Sequence, residues 1–293
     1  MLLARIQIIA GPQRGAVTYA RVQTVADGTH RYLPVPDPFE PGSAAPAGSP
    51  TGSPTGSPTG SPTGSPTCGP VPGSDAVLLA PCRPRVVLGV AHNTGPADRL
   101  LPPQAFHKSP HSVIGPGRAI ELTRGRDRVD GEAELAVVIG SIARNLTPET
   151  ALTAVYGYTC ANDVTDRAAQ ATDNLWTEAK SPDTFTPLGP WIRTDLDPAH
   201  VAVQLGDDNG EGPYASTGDL ARGVVEVLVY LTSVMTLHPG DVVLTGAPGP
   251  SRRLQPGGTS HITIPGIGTL TNPVGAVGTE FAPSTVAAVA GVR

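Results

Sequence analysis

The run Val129-Asp130-Gly131-Glu132-Ala133-Glu134-Leu135-Ala136-Val137-Val138-Ile139-Gly140 sets two carboxylates two residues apart at the head of an apolar, β-branched stretch. Residues at i and i+2 of a strand share a face. Glu132 and Glu134 therefore project together, their face continuing as Ala136 and Val138, while Ala133, Leu135, Val137 and Ile139 line the other. A strand apolar on both faces belongs in the middle of a sheet. Two adjacent anions there would cost several kcal/mol each without a cationic partner, a need that a divalent metal ion meets.

A third carboxylate follows in Tyr156-Gly157-Tyr158-Thr159-Cys160-Ala161-Asn162-Asp163-Val164-Thr165. Tyr, Thr, Cys and Val favour a strand, so Asp163 is expected at a strand terminus beside the Glu pair. Three carboxylates without clustered Cys or His specify a hard ion, Mg²⁺ or Mn²⁺, with positions open to water or substrate oxygens. Spacing alone equally describes a solvated strand end, since Glu-x-Glu is common on edge strands, with Asp163 a turn residue.

Residues 85–275 resemble the fumarylacetoacetate hydrolase family. The resemblance rests on ordered motifs: Ser112-Val113-Ile114-Gly115-Pro116-Gly117, Glu132 to Gly140, Gly157-Tyr158-Thr159 through Asn162-Asp163-Val164-Thr165-Asp166-Arg167, and Ala179-Lys180-Ser181 with Asp183-Thr184-Phe185. It continues through Pro187-Leu188-Gly189-Pro190-Trp191, Leu237 to Leu244 with Thr245-Gly246, and Gly266-Ile267-Gly268-Thr269-Leu270-Thr271-Asn272. It implies that Glu132, Glu134 and Asp163 bind Mg²⁺ or Mn²⁺, that Lys180 is catalytic beside the metal and a developing enolate, and that Arg167 and Gln170 contact substrate. It also implies an α+β fold, a mixed β-sandwich roll with peripheral helices, in a homodimer. An ammonium suits the Lys180 role, because positive charge beside a forming oxyanion in a water-poor site lowers the barrier. Without the resemblance Lys180 would read as a surface lysine.

Two departures bear on the reaction. Many members of the family carry Asn-Tyr-x-x-His-x-x-Glu before the Pro-rich segment, its His and Glu activating water under a closing lid. Here the stretch is Ala91-His92-Asn93-Thr94-Gly95-Pro96-Ala97-Asp98-Arg99. With Asn93 aligned, Pro96 or Ala97 takes the His position and no Glu follows. His92 is then the candidate general base, with Asp98 as its orienter; the alternative is a loop histidine. Where many relatives have Gly-Thr-Pro, this chain has Gly246-Ala247-Pro248, so a carboxylate-binding hydroxyl is absent.

The remaining sequence sets the frame. A net charge of −5 without a basic run argues against a nucleic-acid surface. No stretch approaches the ~18 to 20 apolar residues of a membrane span, and no signal-peptide pattern follows the first strand. Cys68, Cys82 and Cys160 form no C-x-x-C pair, so neither a disulfide scaffold nor a zinc site is expected and a reduced cytoplasm fits. From Gly48 to Thr67 the unit Gly-Ser-Pro-Thr occurs five times. With no apolar face to bury, it reads as a functionally silent linker. The expected organisation is a small β module at 1–40, a low-complexity insert at 41–84, a catalytic domain at 85–275 and a tail at 276–293. Helices are expected from Thr147-Pro148-Glu149 through Val155 and from Leu220 to Leu231, capped by Asp219. His107 and His111 have the i, i+4 spacing of a zinc helix, but Pro110 lies between them and no Glu follows His107.

These features point to a Mg²⁺- or Mn²⁺-dependent hydrolase that splits a C–C bond of a small 2-oxo acid or 1,3-dicarbonyl through a stabilised enolate. Isomerase, tautomerase or decarboxylase chemistry on the same substrates is the alternative, favoured by the lost water-activating pair. A member that binds metal without turnover is the third.

Overall fold

A computed structural model of the chain describes residues 1–40, 69–122 and 128–276. The Gly-Ser-Pro-Thr array, Cys68 and the tail from 277 onward lie outside the described residues. The rest is built mostly of strands with few helices, an α+β fold of open sheets.

The Ala133–Ile139 strand is buried along its whole length. It pairs antiparallel with Val155–Asn162 on one side and Val242–Leu244 on the other. Leu135, Val137 and Ile139 pack into a core that includes Leu205, Ile262, Ile264 and Leu270 of the second sheet and Val227, Leu228 and Leu231 of the Val224–Val234 helix. Ala136 and Val138 pack into a second core with Leu188, Ile192, Val242 and Leu244. The strand is thus sandwiched on both faces, as its composition requires.

It sits within a 12-stranded mixed sheet that also holds Thr186–Arg193, Val87–Ala91 and Gln104–Lys108. The N-terminal strand Leu2–Ile8 pairs with Thr186–Arg193, so the N-terminal strands extend the same sheet. Residues 69–84, grouped by composition with the insert, contain Ala76–Leu79, which pairs with Leu2–Ile8. A five-stranded sheet that includes Ala202–Asp207 and Thr259–Ile264 forms the other layer.

Both expected helices differ in extent. After Thr147 the chain makes a 3₁₀ turn at Ala151–Ala154 and enters the Val155–Asn162 strand, because Val155 and Tyr156 have a strand to join. Asp219 caps an earlier element: with Ser216 it forms a capping box around the 3₁₀ turn Thr217–Asp219. The Arg222 N–H is held by Asn93 Oδ1 at 2.7 Å, and the α-helix starts only at Val224, after Gly223.

Candidate metal centre and substrate cleft

Strand register gathers the three carboxylates. Pairing of Ala133 with Asn162 places Asp163 just past one strand beside Glu132 just before the other, and the Asp163 N–H donates to the Glu132 carbonyl at 2.9 Å. Pairing of Ala136 with Leu244 carries the following turn past Glu134, whose Oε2 accepts the Gly246 N–H at 2.6 Å. One ligand oxygen from each of Glu132, Glu134 and Asp163 lies within 4.8 Å of the others.

Cations surround part of this cluster. Lys180, at the end of the Thr177–Lys180 helix, is buried, its Nζ 2.5 Å from Asp163 Oδ2 and 2.9 Å from Glu132 Oε2. Arg167 and Gln170 share the Arg167–Thr172 helix, which Asp166 caps by accepting the Ala168 and Ala169 N–H groups. The Arg167 guanidinium donates to Glu132 Oε1 at 2.8 Å, Asp130 Oδ2 at 2.9 Å and Gln170 Oε1 at 2.9 Å. Sequence reasoning missed Lys108, whose fully buried ammonium lies 2.6 Å from Asp163 Oδ1. In the Gln104–Lys108 strand it shares a face with Phe106, and both are buried.

The carboxyls respond differently. Burial would raise Asp163, but the Lys108 and Lys180 ammoniums outweigh it and hold the group below the usual range. Burial also pushes Glu134 up, and the charges of Asp163 and Glu132 add to the push, so it stands well above an ordinary glutamate. Burial lowers Lys108 despite Asp163, whereas Lys180 is raised because Asp163 and Glu132 together overcome burial. Among the described residues Glu134 makes no ion pair, its hydrogen bond coming from the Gly246 amide.

All seven expected site residues line one cleft of about 350 Å³: Glu132, Glu134, Asp163, Lys180, Arg167 and Gln170 with His92. His92 has a left-handed backbone (φ 52°) and an exposed ring. The neighbouring Asn93 is buried and donates from Nδ2 to the Arg222 and Thr245 carbonyls, which ties the His92 loop to the Gly246 loop. Asp98 also faces the cleft, but its carboxylate accepts the Thr94 N–H and hydroxyl, both at 2.8 Å.

The donor set fits a hard divalent cation. It supplies three converging carboxylates, and one of them, Glu134, makes no ion pair among the described residues while two acid neighbours face it. Glu132, Glu134 and Asp163 would hold such an ion.

The sequence model for the fumarylacetoacetate (FAA) hydrolase C-terminal domain matches residues 85–275. Protein Rv2993c of Mycobacterium tuberculosis is 38% identical over 216 residues, 69% of this chain and 80% of its own length. The crystal structure of 2-hydroxyhepta-2,4-diene-1,7-dioate isomerase from Mycobacterium marinum superposes with a TM-score of 0.79 at 34% identity, covering 95% of this chain and 100% of that one. Maleylpyruvate hydrolase from Sphingobium sp. SYK-6, solved with manganese(II) and pyruvate, gives a TM-score of 0.63 at 28% identity over 71% of this chain and 76% of that one.

Proposed function

This chain belongs to the fumarylacetoacetate (FAA) hydrolase C-terminal family, and from that premise we propose that it is a Mg²⁺- or Mn²⁺-dependent hydrolase cleaving a C–C bond of a small 2-oxo acid or 1,3-dicarbonyl. The observation that carries this reading is the triad of Glu132, Glu134 and Asp163, closed on one side by the buried Lys180 ammonium. These three carboxylates would hold a divalent cation, which would supply Lewis-acid charge for enolate formation in the substrate. Lys180 adds a preorganised positive charge at the same site. Arg167 holds Glu132 in place and, with Gln170, offers polar contacts to the substrate at the cleft wall. His92 is the candidate to take a proton from water, since its ring opens into the cleft.

A specific observation favours isomerisation or decarboxylation as a second reading. Both Thr94 hydrogen bonds go to Asp98 Oδ2 and, among the described residues, no hydrogen bond joins Asp98 to the His92 ring, so the water base has no hydrogen-bonded orienter here. Similarity to the Mycobacterium marinum isomerase supports the same alternative. Purified protein with Mn²⁺ should consume an acylpyruvate, seen as loss of its ultraviolet absorbance with stoichiometric pyruvate. Consumption of oxaloacetate or a hydroxymuconate analogue instead would select the second reading, and no change in any of the three would contradict both.

A further inference from the structure

The cleft has a second half that the chemistry above leaves unused. Val90, Ala91, Phe106 and Ala247 face it, all of them buried apolar residues, and Trp176 stands among them. The Lys180 Nζ lies 4.9 Å from the Phe106 ring centre, so Phe106 marks the border between the charged and apolar halves. Trp176 meets Phe106 edge to face with ring centres 5.5 Å apart, and the His92 ring is 6.1 Å from that of Trp176.

Trp176 is held unusually. Like His92, it adopts a left-handed backbone (φ 58°) that side chains other than glycine rarely accept. Such residues persist where the surroundings enforce them and recur at ligand clamps. The Trp176 carbonyl accepts the Lys180 N–H at 2.9 Å, so one helical turn fixes both the indole and the ammonium.

Among the described residues that line the cleft, the permanent cations are Lys180 and Arg167. Lys180 is engaged by Glu132 and Asp163, and Arg167 by Asp130, Glu132 and Gln170. On the His92 side the charged group is an anion, Asp98. A second carboxylate on the substrate would therefore meet apolar walls and a negative charge, with no spare cation among the described lining residues to receive it.

We propose that this apolar half, with Trp176 as its selecting residue, receives the non-reacting tail of the substrate, so that the preferred substrate is a 2-oxo or 2,4-dioxo acid ending in an apolar acyl or aryl group rather than a dicarboxylate. The proposal rests on the 2-oxo acid reading of the charged half. It is tested with a matched pair, 2-oxohexanoate and 2-oxoadipate, which differ only in a terminal methyl or carboxylate, and with oxalate as a mimic of the chelating head alone. Binding to the Mn²⁺-loaded protein is read as a rise in melting temperature and as a change in tryptophan fluorescence; the chain has two tryptophans, and the other, Trp191, is buried and donates to the Ile267 carbonyl. The expected result is at least about tenfold tighter binding of 2-oxohexanoate than of 2-oxoadipate. Trp176→Ala should weaken 2-oxohexanoate by a similar factor while oxalate binding, which also reports folding of the variant, stays within about threefold. If oxalate bound and 2-oxoadipate bound as tightly as 2-oxohexanoate, the tail inference would fall and the function reading would stand. If Mn²⁺-loaded protein bound neither oxalate nor either 2-oxo acid, both would fall.

Discussion

Asp130 and Glu134 are buried carboxylates four residues apart, yet their surroundings are opposite. Asp130 is met by Arg128 through two hydrogen bonds, at 3.0 and 2.9 Å, by Arg167 at 2.9 Å and by the Ser251 hydroxyl at 3.3 Å. Burial would raise it, but the two guanidiniums prevail and the group stands below the usual aspartate range. Glu134 has one backbone amide and two acid neighbours, and stands well above the glutamate range because burial and those neighbours act together. A buried carboxylate closed by cations is a structural tie, whereas one that faces other acids would gain from an added cation. Arg167 joins the two by bonding Asp130 and Glu132 with the same guanidinium.

Lys180→Met probes the open cluster and should produce the largest effect. Turnover is expected to fall by on the order of 10²–10³, the loss typical of one preorganised charge stabiliser. Mn²⁺ affinity should hold or rise, because the ammonium now occupies oxygens of two of the three carboxylates; oxalate binding should weaken. Full turnover in the variant would remove Lys180 from the chemistry. Asp130→Asn probes the closed cluster. It should cost about 2–3 kcal/mol of stability by weakening charged hydrogen bonds to a buried partner, read by urea denaturation, with Mn²⁺ affinity changed much less. A variant as stable as the wild type would mean that Asp130 is not the tie described.

A smaller effect separates the two by pH. Without divalent cations Glu134 holds its proton more tightly in the folded chain than in the unfolded one. Its contribution to stability is complete below the ordinary value of 4.5 and is lost as pH rises through the higher folded value. Asp130 has the opposite sign: its contribution is present above the ordinary value of 3.8 and is lost as pH falls through the depressed one. In EDTA, Glu134→Gln should therefore flatten the decline in stability above about pH 4.5 and leave the acid-side loss unchanged. An unaltered decline would assign it to another group.

The sequence made the central strand legible because Leu135 to Ile139 are apolar on both faces and Glu132 and Glu134 interrupt that pattern at one end. Asp163 was within reach for a similar reason, at the polar end of a second strand-forming run. Lys108 was not. Its burial depends on Asp163, 55 residues away, and nothing local distinguishes it from a surface lysine. The placement of Trp176 was not legible either, since it comes from a backbone conformation and from Phe106 and His92 in other elements. The helix expected from Leu220 carried the right apolar period, but its start was set by tertiary hydrogen bonds to Asn93 and by Asp219 capping an earlier turn. Arg167 and Gln170 emerge hydrogen-bonded to each other, and the Asp130 link that fixes the arginine is again a contact between elements.

The open cluster is proposed to hold one divalent cation. Calorimetric titration of Mn²⁺ into metal-free wild type and into Glu134→Gln, at a pH where the wild-type carboxylate is ionised, tests it directly. The account predicts one site per chain in the wild type, binding accompanied by proton release at lower pH, and loss of that site in the variant. Equal stoichiometry and affinity in the two proteins would contradict it.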